Sequence, residues 1–270
     1  MSKGIFLYNF LREHSDQVKI TTDNYFRSFF FRFFAVQHHL PFIDDYYLFI
    51  KSALKKINIP IPEKFTLENF HRGIQWLARK NKYYKGIIVN VFFKYQDNQT
   101  ISIISLEKRK ELFFETHARV FVGEVYSYYK CLSPWADVVQ DPWLASYLDT
   151  NKFYDFFIKD AKGNIVDAYF SNFLIIKNED DILFSKSPLR VRRVITEKLL
   201  EWIKDNYNLI YKDITEQDIL EAQEIVLVNE VDGIVPVKGY KQARYMEHLA
   251  PKLLEVLNQI AFNQYTIKKD

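Results

Sequence analysis

The chain has 270 residues, of which only 7 are glycine, whereas 17% are aromatic. Glycine-rich turns let backbone N–H groups approach a phosphate, so this composition argues against nucleotide-binding loops, and neither the Walker pattern nor the dinucleotide pattern occurs. The net charge of +3 is spread along the sequence, which argues against nucleic-acid binding. A hydrophobic share of 48% with 26% charged residues is typical of a globular protein with a large core.

Cysteine content and hydropathy indicate a compartment. Cys131 is the single cysteine, so the sequence predicts no disulfide within the chain, which fits a reducing environment. The first residues lack the pattern of a secretory signal, and no window approaches the roughly 18 consecutive apolar residues of a membrane span. We therefore expect a cytoplasmic protein that binds neither nucleic acid nor membrane.

The first half of the sequence alternates strand-like and helix-like segments. Aromatic-rich strands are expected at 4–10 and 26–36, and a hairpin is expected with strands at 86–95 and 100–106. Between them, apolar residues at helical spacing predict two helices, the first capped by Asp44 or Asp45 and the second by Thr66. These elements predict an N-terminal α+β domain over residues 1–117.

The second half predicts another α+β domain, over residues 118–270. Helices are expected near 142–150 and 194–207, and strands at 154–159, 168–176 and 224–228. Thr215 can cap a short helix. A C-terminal helix is expected over 243–262, in which Pro251 either causes a kink or marks a fresh first turn.

The sequence contains few candidates for chemistry. Its six histidines show none of the spacings of a zinc site, so no metal is expected. Arg190, Arg192 and Arg193 form the densest positive cluster, just before a predicted helix. Because cations at a helix N-terminus oppose the helix dipole, either a carboxylate partner such as Glu197 or Glu201 or a bound anion is expected there.

Three blocks of the sequence carry a resemblance to a known family. They are LPFIDDYYLFI from residue 40, GNIVDAYFSNF from residue 163, and DITEQDILEAQEIVLVNEVDGIVPV from residue 213. They resemble motifs of the class IV aminotransferases, which are fold-type IV pyridoxal-phosphate (PLP) enzymes that include branched-chain and D-amino-acid aminotransferases and aminodeoxychorismate lyase. The resemblance spans roughly residues 4–262 and implies a two-domain α+β fold like that of D-amino-acid aminotransferase, together with a homodimer.

The resemblance assigns the catalytic positions of the family to unusual residues. The Schiff-base lysine falls at Ala136, and the sequence has no lysine between Lys130 and Lys152. The carboxylate that pairs with the pyridine nitrogen falls at Asp167, which keeps the charge of the family's glutamate but is one methylene shorter.

The phosphate-binding positions of the family are also changed. The phosphate arginine, threonine and serine fall at Phe49, Val228 and Glu230, and Arg192-Arg193-Val194 replaces the family's L-x-G-I motif. The residues retained from this block are Asn229, Gly233 and Ile234. Phe26, Phe31 and Phe49 fall where the family has Gly, Glu and Arg, so aromatic rings are expected to fill the cofactor cleft.

We therefore predict a degenerate member of this family that has lost lysine-dependent transamination. It would bind no cofactor and would act as a binding or interaction protein, or would use the former cofactor cleft for another, unidentified small-molecule ligand. The sequence also leaves open an unrelated enzyme acting in the same cleft and a structural subunit that pairs with an active paralogue. The alternative is an active PLP-dependent aminotransferase or aminodeoxychorismate-type lyase in which Lys130 supplies the Schiff base.

Overall fold

The computed structural model describes residues 7–9, 12–15, 28–36, 39–96, 99–127 and 151–262. These residues divide into two compact units between Phe113 and Phe114. Lys130, Cys131, Ala136, Phe26 and the helix predicted near 142–150 lie outside the described residues. No helix in the described ranges is both long enough and apolar enough to cross a membrane.

In its described part, the first unit combines a five-stranded antiparallel sheet with two helices. Its strands, in the order β2-β1-β5-β4-β3, are β1 (Leu7–Asn9), β2 (Arg12–Ser15), β3 (Ser28–Val36), β4 (Gly86–Gln96) and β5 (Gln99–Lys108). The helices are α1 (Ile43–Lys56) and α2 (Leu67–Lys80). The predicted hairpin and both predicted helices of this half are confirmed.

The two helices begin in different ways. Thr66 caps α2 as predicted, because its side chain accepts a hydrogen bond from the Asn69 N–H. The prediction that Asp44 or Asp45 caps α1 is wrong, since α1 begins at Ile43 and its N-cap is Phe42, at φ 59° and without a side-chain cap. Both aspartates lie in the first turn, where the positive end of the helix dipole favours negative charge.

Aromatic rings form much of the core of the first unit. Phe33 of β3 is fully buried, and its ring centroid lies 4.4 Å from that of Tyr46 in α1 and 6.2 Å from that of Phe70 in α2. Aromatic pairs at such separations add to the free energy gained by burying their area. The high aromatic content of the sequence therefore serves, in this half, to pack the helices on the sheet.

The second unit is built on a nine-stranded sheet. Eight strands follow the order β11-β10-β9-β12-β13-β6-β7-β8, and β14 pairs with β13. They are β6 (Val120–Ser127), β7 (Asp155–Lys159), β8 (Ile165–Ala168), β9 (Asn172–Ile176), β10 (Asp181–Ser185), β11 (Asn208–Lys212), β12 (Glu224–Asn229), β13 (Gly233–Tyr240) and β14 (Ala243–Arg244). Ile165 of β8 bridges Ile214, just beyond β11, so the sheet curls until its two ends approach each other.

Within the described residues, three helices accompany this sheet: α3 (Val194–Asn206), α4 (Glu216–Leu220) and α5 (Ala250–Phe262). The predicted helix over 194–207 is confirmed by α3. Thr215 caps α4 as predicted and forms a reciprocal capping box with Asp218.

Two predicted elements of this half are wrong. The strand expected over 168–176 is interrupted, because β8 ends at Ala168 and β9 begins at Asn172. The helix expected over 243–262 begins only at Ala250, after the short strand β14. Pro251 therefore lies in the first turn of α5, where its missing N–H removes no intrahelical hydrogen bond.

A buried carboxylate sets the start of α5. Glu224, the first residue of β12, is 1% exposed and accepts hydrogen bonds from the backbone N–H groups of His248, Leu249 and Ala250 at 2.8–2.9 Å. The first N–H groups of a helix have no partner within the helix, so this carboxylate satisfies donors that would otherwise be buried without one. The local sequence around residue 250 carries no sign of this partner.

Gly233 begins β13 after the turn that follows β12, and Gly163, in the turn between β7 and β8, serves as its matched control. Both have positive φ, 72° and 86°, but a Cβ at Gly233 would lie 2.8 Å from Phe114 Cδ1, whereas a Cβ at Gly163 would meet nothing within 4 Å. We predict that Gly163→Ala costs about 1–2 kcal/mol of unfolding free energy and that Gly233→Ala costs about 1–3 kcal/mol more, because of overpacking. Urea denaturation measures both, and equal losses would contradict the packing argument.

Candidate functional site

The turn between β8 and β9 is organised by a buried aspartate. The Asp155 carboxylate accepts hydrogen bonds from the backbone N–H groups of Phe156, Tyr169 and Phe170 at 2.8–3.2 Å. Burial raises the pKa of Asp155 to about 6, although these hydrogen bonds and the nearby Arg193 favour the ionised form. Asp155 thereby breaks the predicted single strand and brings Asn172 to the start of β9.

Asp167, at the end of β8, is hydrogen-bonded entirely within the chain. One oxygen accepts from the Ala168 N–H at 3.1 Å and from Asn172 Nδ2 at 2.9 Å. The other accepts from Asn172 Nδ2 at 3.0 Å and from the Val191 N–H at 3.0 Å. Because Asn172 Nδ2 also donates to the Val191 carbonyl, one of its hydrogens is shared by the two Asp167 oxygens, and three N–H groups of the chain engage the carboxylate. Burial raises the pKa of Asp167 to about 7, and Arg193 opposes this rise.

Glu230, immediately after β12, reaches the N-terminus of α3. Its Oε1 accepts from the Val194 N–H at 3.1 Å, and its Oε2 forms an ion pair with Arg193 Nη1 at 3.2 Å. Glu230 is 2% exposed, and burial raises its pKa against the lowering effect of Arg193. Arg193 also donates to the Tyr169 carbonyl at 3.3 Å, so it links the β8–β9 turn to α3.

The other two arginines of the cluster share a different carboxylate. Arg190 Nη2 lies 3.1 Å from Glu197 Oε1, and Arg192 Nη2 lies 3.3 Å from Glu197 Oε2. The guanidinium of Arg190 also lies over the Phe184 ring, 4.5 Å from its centroid. Each of the three arginines therefore has a carboxylate of the chain beside it, and binding of a free anion by the cluster stays a prediction.

The residues retained from the last block shape the β12–β13 turn. Asn229 Oδ1 accepts from the backbone N–H groups of Val231 and Asp232, and its Nδ2 donates to Tyr154 Oη at 2.9 Å. Tyr154 in turn donates to Asp232 Oδ2 at 2.5 Å. Val228 and Ile234 are buried partners on β12 and β13. These contacts give Asn229 and the apolar pair structural roles.

Phe49 belongs to the first unit. It lies on α1, half-buried, with its ring centroid 4.9 Å from that of the buried Phe31. The two rings to which the resemblance assigns the family's Arg and Glu positions therefore pack on each other. The structure thus brings Asp167, Arg193 and Glu230 together in the second unit, whereas Phe49 belongs to the other unit.

Three buried polar residues of this site were not singled out from the sequence: Asp155, Asn172 and Thr196. Thr196, the third residue of α3, is fully buried, and its hydroxyl has no hydrogen-bond partner within the described chain. The sequence signal that could have identified a buried polar residue is its position next to an apolar run. Asp155, for example, directly precedes Phe156-Phe157-Ile158. Among the described side chains, no group of three or more His, Cys, Asp or Glu is placed to hold a metal ion.

Comparison with known proteins agrees with the motifs. A model of the family "Amino-transferase class IV" matches residues 30–240. No curated protein matches the chain.

Solved structures of similar fold cover nearly the whole chain. The branched-chain amino acid aminotransferase of Thermobaculum terrenum in its PLP form has 11% identity and a TM-score of 0.79, covering 98% of this chain and 96% of its own. The fold IV transaminase of Curtobacterium pusillum has 11% identity and a TM-score of 0.73, covering 94% and 90%. A hypothetical aminotransferase from Mycobacterium tuberculosis, with α-ketoglutarate and pyridoxamine 5'-phosphate (PMP) bound, has 11% identity and a TM-score of 0.74. The match covers 96% of this chain and 99% of that chain. The predicted fold class is confirmed.

The residues at the implied cofactor positions do not fit PLP. The position assigned to the phosphate serine holds the Glu230 carboxylate, which already accepts from Val194 and Arg193 and would repel a phosphate dianion. The position assigned to the pyridine partner holds Asp167, both of whose oxygens already accept hydrogen bonds within the chain. A cofactor would have to displace both sets of hydrogen bonds.

The hydrogen bonds of Asn172 provide a test of this buried network. Asn172 Nδ2 donates to Asp167 and to the Val191 carbonyl at 2.9–3.0 Å. Asn172→Asp would replace the donor by an acceptor of the same shape, facing two acceptors. We predict a loss of about 3 kcal/mol of unfolding free energy at pH 8, because a second unpaired carboxylate would be buried beside Asp167. The exposed Asn178, which donates to Asp181 at 2.9 Å, supplies a control, and Asn178→Asp should change little.

The same variant has a predictable pH dependence. Burial and the neighbouring charge would raise the folded-state pKa of the new carboxyl, as burial already raises that of Asp167 to about 7. Such a group stabilises fully below its unfolded pKa and loses that contribution as the pH rises through the folded pKa. The cost of Asn172→Asp relative to wild type should therefore be smaller at pH 5 than at pH 8 in urea titrations. A cost that is independent of pH would count against the buried pair.

Proposed function

The chain belongs to the class IV aminotransferase family, and from this premise we propose that it is a member without lysine-dependent transamination. It keeps the two-domain fold of the family and acts as a binding or interaction protein. The former cofactor site is where a small-molecule ligand would bind. A homodimer in the cytoplasm is part of the same proposal.

The state of Asp167 carries the proposal. In the resemblance this residue takes the place of the glutamate that pairs with the pyridine nitrogen. Both of its oxygens accept hydrogen bonds, from Ala168, Asn172 and Val191, and the side chain is only 4% exposed. A buried carboxylate that is hydrogen-bonded in this way by its own chain would have to give up hydrogen bonds of about 1–3 kcal/mol each to reach a positive charge on a ligand ring.

Two further observations support the same conclusion. Glu230 places a negative charge at the first turn of α3 and accepts the Val194 N–H. A phosphate bound at this helix N-terminus would compete with that carboxylate for the same donor and the same positive end of the dipole. The sequence has no lysine between Lys130 and Lys152, so the position aligned with the Schiff-base lysine is Ala136. Without an amine at that position there is no nucleophile for the cofactor aldehyde and no base for the proton shift.

The alternative is an active PLP-dependent aminotransferase or lyase that uses Lys130. In its favour are the similar solved structures, one of which is in a PLP form and another of which has PMP bound. Lys130 precedes Ala136 by a few residues, so a local shift of the chain would be needed to bring its amine to the same point. The two proposals differ in one observable, the covalent attachment of PLP to Lys130.

The test is the absorbance of purified protein mixed with excess PLP and then freed of unbound cofactor. We expect no Schiff-base band at about 410–430 nm. Borohydride reduction followed by peptide mass mapping would locate any lysine that had reacted, and Lys152→Ala is the control for adventitious labelling of a surface lysine. A band that disappears in Lys130→Ala and persists in Lys152→Ala would overturn the proposal in favour of the active enzyme.

A further inference from the structure

The first turn of α3 has the elements of an anion site, and a side chain of the same protein occupies it. The helix has 13 residues, so its N-terminus carries a full dipole. Arg193, its N-cap residue, contributes a guanidinium that is 13% exposed, and no side chain of the cap itself satisfies the helix. The carboxylate of Glu230 accepts from both the Val194 N–H and Arg193.

A second observation is an unused hydroxyl in the first turn of the same helix. Thr196 lies in the same first turn and is fully buried, yet its hydroxyl has no hydrogen-bond partner in the described part of the chain. Buried hydroxyl groups are nearly always hydrogen-bonded, so an unused one in the first turn of a helix leaves a donor for a partner that the described chain does not supply. Glu230 uses the backbone donor and the arginine but leaves this hydroxyl unused.

The contrast with Glu224 separates this arrangement from ordinary helix capping. Glu224 also lies at a helix N-terminus, but its hydrogen bonds go to three successive backbone N–H groups of the segment leading into α5. Glu230 instead pairs with the partly buried Arg193, whose charge also opposes the rise that burial causes in the pKa values of Asp155 and Asp167. Of these two sites, the one at α3 therefore combines a helix N-terminus, a partly buried cation and an unused hydroxyl.

We propose that Glu230 is a built-in replacement for a bound phosphate, and that removing its carboxylate turns the N-terminus of α3 into a binding site for inorganic phosphate. The donors would be the Val194 N–H, the Arg193 guanidinium and the Thr196 hydroxyl. For the wild-type protein the consequence is that its ligand carries no phosphate group at this position. This inference rests on the proposed function, since the wild-type site must not hold a cofactor phosphate.

The experiment compares wild type with Glu230→Ser in thermal unfolding, in phosphate and in chloride of matched ionic strength. With 20 mM inorganic phosphate, Glu230→Ser should gain roughly 4 °C in Tm, as expected for a dissociation constant of about 1 mM, and wild type should gain none. Glu230→Gln, which fills the same space without charge, should also gain none. Glu197→Ser is the matched control, because it removes a carboxylate from the same end of α3, where Glu197 is paired with Arg190 and Arg192.

Several outcomes would overturn the inference. They are the absence of a phosphate-specific shift in Glu230→Ser, an equal shift in wild type, and an equal shift in Glu197→Ser. If Glu230→Ser is unfolded in chloride, the refolding yield takes the place of Tm, and a yield no higher in phosphate than in chloride counts against the inference. A Schiff-base band in wild type would refute the proposed function instead, so the two failures are distinguishable.

Discussion

Arg193 is the positive charge on which the buried carboxylates of the second unit depend. Its guanidinium lowers the pKa values of Asp155, Asp167 and Glu230, all of which are raised by burial. The free-energy cost of burying three carboxylates would be prohibitive without a nearby cation and without hydrogen bonds to the oxygens of each carboxylate. The same residue joins the β8–β9 turn to the start of α3, so the charge balance and the local geometry depend on one side chain.

The buried carboxylates of the second unit are hydrogen-bonded within the chain. A site that binds a charged ligand leaves donors and acceptors for that ligand, whereas here the chain satisfies most of its own groups. The oxygens of Asp167 accept hydrogen bonds from Ala168, Asn172 and Val191, and the N-terminus of α3 is occupied by Glu230. Hydrogen bonds within the chain remove the cost of leaving these buried polar groups without a partner. They also reduce the affinity for a polar ligand, because the ligand would have to replace them.

Features set by neighbouring residues were predictable from the sequence, and features set by distant partners were not. Thr66 and Thr215 cap their helices through residues three positions away, so a local pattern was sufficient to predict both. The start of α5 depends on Glu224, which is 26 residues from Ala250. Because periodicity does not reveal such a distant partner, it placed the start of this helix wrongly. The motifs identified Asp167 and Glu230 as unusual, but the contact between Glu230 and Val194 joins residues 36 apart and required the fold.

Glu224 and Glu230 stand at the two ends of β12, and each satisfies the beginning of a different helix. One strand of the curled sheet therefore fixes the starting points of both α3 and α5. Separation of β12 from its neighbours would free both helix ends at once, so the amide hydrogens of Val194 and Ala250 belong to one cooperative opening unit. Hydrogen exchange would then report these two amides together, although more than fifty residues of chain lie between them.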